Sequence, residues 1–123
     1  MKNELKLTLY QVDSDYTREF GFMRLEDFEM FTGLSISPLK LKSSHHLPVA
    51  EFMVNKENTD NDVLNKLFLL SNGSHVESQN FRNKYPKARS VSVGDIVILE
   101  SEDSTIAYYC NSFGWDIIQV EID

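Results

Sequence analysis

Apolar and polar residues alternate with a period of two in several segments, and each of these segments predicts a β-strand. The first is Leu5–Val12, whose alternation ends at the polar turn Asp13–Asp15. Val49–Val54 is a second predicted strand, and the short stretch Leu39–Lys42 alternates in the same way. This pattern therefore places strands in the first half of the chain.

Three further strands are predicted at the end of the chain, separated by short polar turns. They are Asp95–Glu100, Thr105–Cys110 and Trp115–Ile122. The first carries four consecutive aliphatic residues, apolar on both faces, so we expect it to be central and covered on both sides. Successive side chains point to opposite faces, so of Tyr108 and Tyr109 one is expected in the core and the other at the surface.

A spacing of three to four residues between apolar positions predicts helices. Leu25–Phe31 carries one apolar stripe, which Gly33 is expected to close. A longer helix can be capped by Thr59, Asp60 or Asn61 and ends at Asn72-Gly73, with a buried side of Val63, Leu64, Leu67, Phe68 and Leu70. A short helix is predicted around Gln79–Lys84 within the polar connection that follows.

Together these elements predict an α+β fold with a small mixed, mainly antiparallel sheet, a C-terminal three-strand meander and two or three short helices. A length of 123 residues suits a single domain over residues 1–123. No aliphatic run approaches the roughly 20 residues that span a bilayer, and the first residues lack the apolar block of a signal peptide. A single cysteine allows no internal disulfide, so a cytoplasmic protein without a membrane partner is expected.

Charge is distributed unevenly along the chain. The net charge of −7 matches the seven acidic residues of positions 90–123, a segment with no Lys or Arg. Just before it lies a basic stretch with interleaved aromatic residues, Phe81, Arg82, Lys84, Tyr85, Lys87 and Arg89. Such polarity can steer a charged partner, although charged runs also serve solubility.

Two motifs in the second half resemble the YodL-like domain family, small proteins of Firmicutes and bacterial mobile elements. The first is Ser90–Val97, with the sequence SVSVGDIV, and the second is Tyr108–Trp115, with the sequence YYCNSFGW. The chain departs from the family pattern at Asn111, where aspartate is expected, and at Trp115, where phenylalanine is usual. The resemblance implies a phage, plasmid or conjugative-element context, or a small bacterial regulator, and it implies no enzymatic activity.

Few residues of the sequence are candidates for catalysis or for metal binding. Cys110 with His45 or His46 has the residue types of a nucleophilic pair, and the two adjacent histidines have those of metal ligands, but neither set has a recognisable spacing. The acidic turn lacks the regular ligand pattern of a calcium loop, and no phosphate-binding glycine loop is present. The sequence therefore predicts no enzyme, no cofactor and no metal.

The resulting hypothesis is a non-enzymatic protein-interaction module that binds and inhibits a host protein, such as a defence or replication component. Its predicted partner-binding surface is Glu100, Glu102, Asp103, Asn111, Phe113 and Trp115, on the expectation that these acidic and aromatic residues occupy neighbouring turns. The alternative is a small RNA- or nucleotide-binding domain similar to PUA and ASCH barrels. In that alternative, the basic stretch contacts phosphates and stacks a base.

Overall fold

The protein was analysed as a computed structural model that describes residues 4–15, 21–32, 39–41, 44–55, 59–112 and 114–121. The strands in these residues are β1 (Glu4–Val12), β2 (Leu39–Lys40), β3 (His46–Asn55), β4 (Ile96–Glu100), β5 (Thr105–Asn111), β6 (Gly114–Ile118) and β7 (Val120–Glu121). The helices are α1 (Leu25–Thr32), α2 (Asp60–Asn72) and α3 (Ser78–Lys84). The predicted α+β class is confirmed.

Five strands form one sheet in the order β3-β1-β4-β5-β6. Every neighbouring pair in it is antiparallel, and β4, β5 and β6 form the predicted meander. The only parallel pairing among the described residues joins β2 to β7 in a separate two-stranded sheet. Among the strands that the structure describes, β3 and β6 are therefore the two edges of the large sheet.

Both faces of the large sheet are covered, as the apolar sequence of β4 requires. Val97 and Leu99 belong to a core cluster that includes Leu64 and Leu67 of α2, whereas Ile96 and Ile98 belong to a second cluster that includes Phe28 of α1. The four aliphatic residues of β4 are all buried, which confirms the predicted central strand. The prediction for the paired tyrosines was half right: Tyr108 and Tyr109 join opposite clusters, but both are buried because neither face is open at β5.

The ends of α2 follow the local sequence. The Thr59 hydroxyl accepts the backbone N–H of Asp62 at 3.2 Å, and Gly73 ends the helix with a positive φ of 88°. One position of its predicted buried side was wrong, because Phe68 is 46% exposed. Ser71 is buried instead, and its hydroxyl accepts the Val91 N–H at 2.9 Å.

Strand bounds differ from the prediction at two places. β3 begins at His46, three residues earlier than expected, because Leu47 and His46 extend the ladder with β1. The last predicted strand is divided at Gln119: β6 pairs with β5, whereas β7 leaves the large sheet to pair with β2. The predicted cap at Gly33 and the strand end at Ile122 lie outside the described residues.

Candidate functional site

Residues Ser92–Asp95, which we name the signature turn, hold a buried carboxylate between β1 and β4. Asp95 is 4% exposed, and its Oδ2 accepts hydrogen bonds from Gln11 Nε2 and from the Ser92 N–H, both at 2.9 Å. Gln11 also exchanges two bonds with the Arg89 backbone. Burial raises the pKa of Asp95 to about 6, and its hydrogen bonds oppose this rise. Asp95 therefore closes a turn and joins it to β1.

A histidine clamps the same turn from the opposite face of the sheet. His46 Nε2 lies 2.7 Å from the Gly94 carbonyl, and Nδ1 lies 2.7 Å from the Ser44 hydroxyl. Burial lowers the pKa of His46 to about 4, so the ring is neutral at pH 7. A carbonyl only accepts, so the Nε2 that faces Gly94 carries a proton. Both ring nitrogens are therefore engaged within the protein.

Gly94 brings the signature turn against another segment of backbone. Its φ is 101°, and a Cβ at this position would lie 3.2 Å from the Phe22 nitrogen and 3.4 Å from that of Met23. Phe22 itself has a φ of 63°, an uncommon conformation for a bulky residue. The motif glycine is thus required both by its backbone angle and by the close approach of residues 22–23.

The lone cysteine is not placed as an activated nucleophile. Cys110 belongs to β5 and packs against the cluster under α2. Burial, with a smaller contribution from Asp95, raises the pKa of its thiol to about 12. The thiol is protonated at neutral pH, and the ring nitrogens of His46 are bound to Gly94 and Ser44.

A cleft of about 490 Å³, which we name the β3 cleft, lies between β3 and the helices α2 and α3. Its apolar lining includes Phe52, Val54, Leu67, Phe81 and Tyr85. Four charged residues also line it: Asp62, Lys66, Glu77 and Lys84. Within the described part of the chain none of these four forms an ion pair, so the cleft has balanced and unpaired charges.

Aromatic contacts shape this cleft. Phe52 of β3 lies edge-on to Phe81 at 6.2 Å between ring centroids and 5.9 Å from Tyr85. The Tyr85 hydroxyl donates to the Glu51 carbonyl at 2.7 Å, which fixes the end of α3 against β3. The Lys84 ammonium lies 5.6 Å above the Tyr85 ring centroid.

Most of these site residues were missed by sequence reasoning. The role of Gln11 could have been recognised in the sequence, because it is a polar residue on the apolar side of β1, in line with Leu7 and Leu9. Nothing in the sequence indicated the β3 cleft, because its walls come from segments whose proximity depends on tertiary structure.

The predicted partner-binding surface is not one patch. Glu100, Glu102 and Asp103 lie at the β4–β5 turn, whereas Asn111 and Trp115 lie at the β5–β6 end. Consecutive turns of a meander lie at opposite ends of the intervening strand, and seven residues of β5 separate them by about 20 Å at about 3.3 Å per residue. The expectation that these turns are neighbours was therefore wrong.

Individual residues of that surface have separate roles. Glu102 and Asp103 are exposed, and Glu100 pairs with Lys6 at 3.7 Å. Asn111 Nδ2 donates to Asp116 Oδ2 at 2.7 Å across the β5–β6 hairpin. Trp115 is half-buried against the cluster under α2, and Phe113 lies outside the described residues.

Three charged side chains of the basic stretch lie at the surface, whereas its two aromatic side chains do not. Arg82, Lys84 and Lys87 are exposed. Phe81 is 7% exposed and belongs to the core, and Tyr85 is held by Phe52 and Glu51. Arg89 Nη2 donates to the Val12 carbonyl at 2.8 Å. The two aromatic residues of this stretch thus pack within the fold.

Among the described residues, no three His, Cys, Asp or Glu side chains converge in a way that could hold a metal ion. No helix among them is long and apolar enough to cross a membrane.

The model of the YodL-like domain matches residues 6–120, nearly the whole chain. No curated protein and no solved structure matches it significantly. The matched region contains the signature turn, its partners Gln11 and His46, and the β3 cleft. This chain therefore belongs to the YodL-like domain family.

Proposed function

We propose that the chain is a non-enzymatic protein-interaction module that binds its partner through the β3 cleft. The observation that carries this proposal is the cleft itself, about 490 Å³ of open space with apolar walls and unpaired charges at an edge of the sheet. Concave sites with apolar walls and a few polar groups are where proteins bind ligands, and aromatic residues commonly anchor interfaces.

Two features support binding without chemistry. Asp95 and His46, which have catalytic potential, form hydrogen bonds that hold the signature turn. Burial raises the pKa of the Cys110 thiol, which disfavours the nucleophilic thiolate. The β3 cleft contains carboxylates and ammonium groups, but no described histidine or cysteine lines it. In the mobile-element context that the family resemblance implies, the partner is a host protein that binding inhibits.

The acidic turn is the competing protein-binding surface, and variants can separate the two. Asn80 is exposed and lines the cleft, so Asn80→Trp places a large ring in it. Gln79 is also exposed, one position away on α3 and outside the lining, so Gln79→Trp is a matched control. The triple variant Glu100→Ala, Glu102→Ala and Asp103→Ala tests the acidic turn.

The experiment is quantitative affinity capture from a bacterial host with the wild-type chain and these variants, followed by binding measurements on the purified partner. We expect Asn80→Trp to lose a partner that Gln79→Trp and the triple variant retain. If only the triple variant loses the partner, the binding site is the acidic turn and not the β3 cleft. Capture of nucleic acid instead of protein by the wild-type chain would contradict the proposal.

A further inference from the structure

One half of the edge strand β3 is closed to further pairing. Pro48 has no backbone N–H, and the ladder shifts register between Leu9 and Tyr10, which leaves Val49 without a partner in β1. Proline and irregular pairing are devices that keep edge strands from associating. An additional strand is therefore blocked near the start of β3.

The other half of β3 remains regular and borders the cleft. Glu51 to Asn55 continue the ladder with β1 without interruption. Tyr85 lies outside this ladder and donates to the Glu51 carbonyl, so Glu51 directs its backbone groups away from β1. Backbone direction alternates along an antiparallel strand, so Met53 also directs its N–H and C=O outward. Among the described residues, β1 is the only strand that pairs with β3.

We propose that the partner contributes an extended peptide segment that pairs with β3 around Met53 and inserts alternate side chains into the β3 cleft. This inference rests on the proposed function and specifies how the partner is recognised. Hydrogen bonds from Met53 provide affinity, and the cleft provides sequence preference, as in other cases of strand addition.

The chemistry of the segment follows from the two sides of the edge. Side chains of an added strand alternate between the faces of the sheet. Those on the helix side meet Phe52 and Phe81 and must be apolar, whereas those on the other side pass Met53, which is 51% exposed, and the Lys6–Glu51 ion pair. The cleft carries two acidic and two basic residues, which complements a peptide of low net charge and opposes a polyanion.

The probe is a random heptapeptide library displayed on phage and selected against the purified chain, followed by synthesis of the enriched sequence. Apolar residues at alternate positions are expected in that sequence. Met53→Pro removes the outward N–H, whereas Met53→Ala keeps it. Loss of this one backbone hydrogen bond should weaken peptide binding by about tenfold in Met53→Pro. Met53→Ala should change it by less than about threefold.

Amide exchange of the wild-type chain gives a readout that does not depend on the proline variant folding. The Met53 amide should exchange rapidly in the free protein and become protected when the peptide is bound. An unprotected Met53 amide with unchanged binding to Met53→Pro overturns strand pairing. If Asn80→Trp still abolishes binding in that case, the cleft remains the site and only this inference fails. Enrichment of no peptide, or a chain that self-associates through β3, also overturns it.

Discussion

Replacement of Asp95 by asparagine is expected to change how the stability of this protein depends on pH. Asp95 and His46 hold the signature turn from opposite faces of the sheet, and burial shifts their pKa values in opposite directions. The pKa of Asp95 is raised from 3.8 to about 6, and that of His46 is lowered from 6.5 to about 4. Both groups therefore titrate between about pH 4 and pH 6.5, with opposite consequences.

The sign of each contribution follows from which state binds the proton. Folded Asp95 takes up a proton at a higher pH than unfolded Asp95, so its contribution to stability is full below pH 3.8 and is lost as pH rises through about 6. Unfolded His46 is protonated below 6.5 while the folded ring stays neutral to about 4, so its contribution is full above pH 6.5 and is lost as pH falls.

The magnitudes nearly cancel in the wild-type chain. At 1.36 kcal/mol for each pKa unit, acidification from pH 7 to pH 4 increases the Asp95 contribution to the free energy of unfolding by about 2 kcal/mol. The same change decreases the His46 contribution by about 3 kcal/mol. Asp95→Asn removes only the first effect, so the stability deficit of this variant should be about 2 kcal/mol larger at pH 4 than at pH 7.

The assay is urea denaturation at pH 4, 5, 6 and 7, followed through the fluorescence of Trp115, the only tryptophan. His46→Gln is the second variant, and its deficit should shrink on acidification by about 3 kcal/mol. Asp103→Asn removes a carboxylate at an exposed position and is the matched control for Asp95→Asn. Deficits of Asp95→Asn and His46→Gln that stay constant across this range would refute the opposed titration.

Two other predictions concern the same end of the sheet. Gly94→Ala should lower the free energy of unfolding by about 1–3 kcal/mol because it combines a positive φ with contact against the Phe22 backbone. Gly114→Ala, at a φ of 112° with no atom within 4 Å of the added Cβ, should cost less in the same denaturation experiment. Cys110 should react with a thiol reagent at pH 8 at least about a hundredfold more slowly in the folded chain than in urea; equal rates would contradict its burial.

Local pattern was sufficient for most individual elements. The alternation of Leu5–Val12 predicted β1, and the continuous apolar run in β4 predicted a strand covered on both faces. Thr59 and Gly73 marked the ends of α2 because capping depends on residues adjacent in sequence. The errors of prediction occurred at positions that depend on distant segments: Phe68 was placed in the core, and the predicted strand Val49–Val54 left out His46.

The candidate site depended much more on tertiary structure. Asp95 belongs to the Ser90–Val97 motif that the sequence singles out, but its bond to Gln11 joins residues 84 positions apart. The β3 cleft requires that β3 be an edge strand, which follows from its pairing with β1 alone among the described strands. A meander also places consecutive turns at opposite ends of the strand between them, so closeness in sequence did not bring the acidic and aromatic turns together.

The sequence by itself determined the family, the α+β class and the meander, because each depends on the period or local identity of neighbouring residues. Only the tertiary structure decided the strand order, the division of the last strand between two sheets, the burial of His46 and the position of the cleft. These features depend on which distant segments pair, and a local pattern specifies the face that a residue presents without specifying its partner.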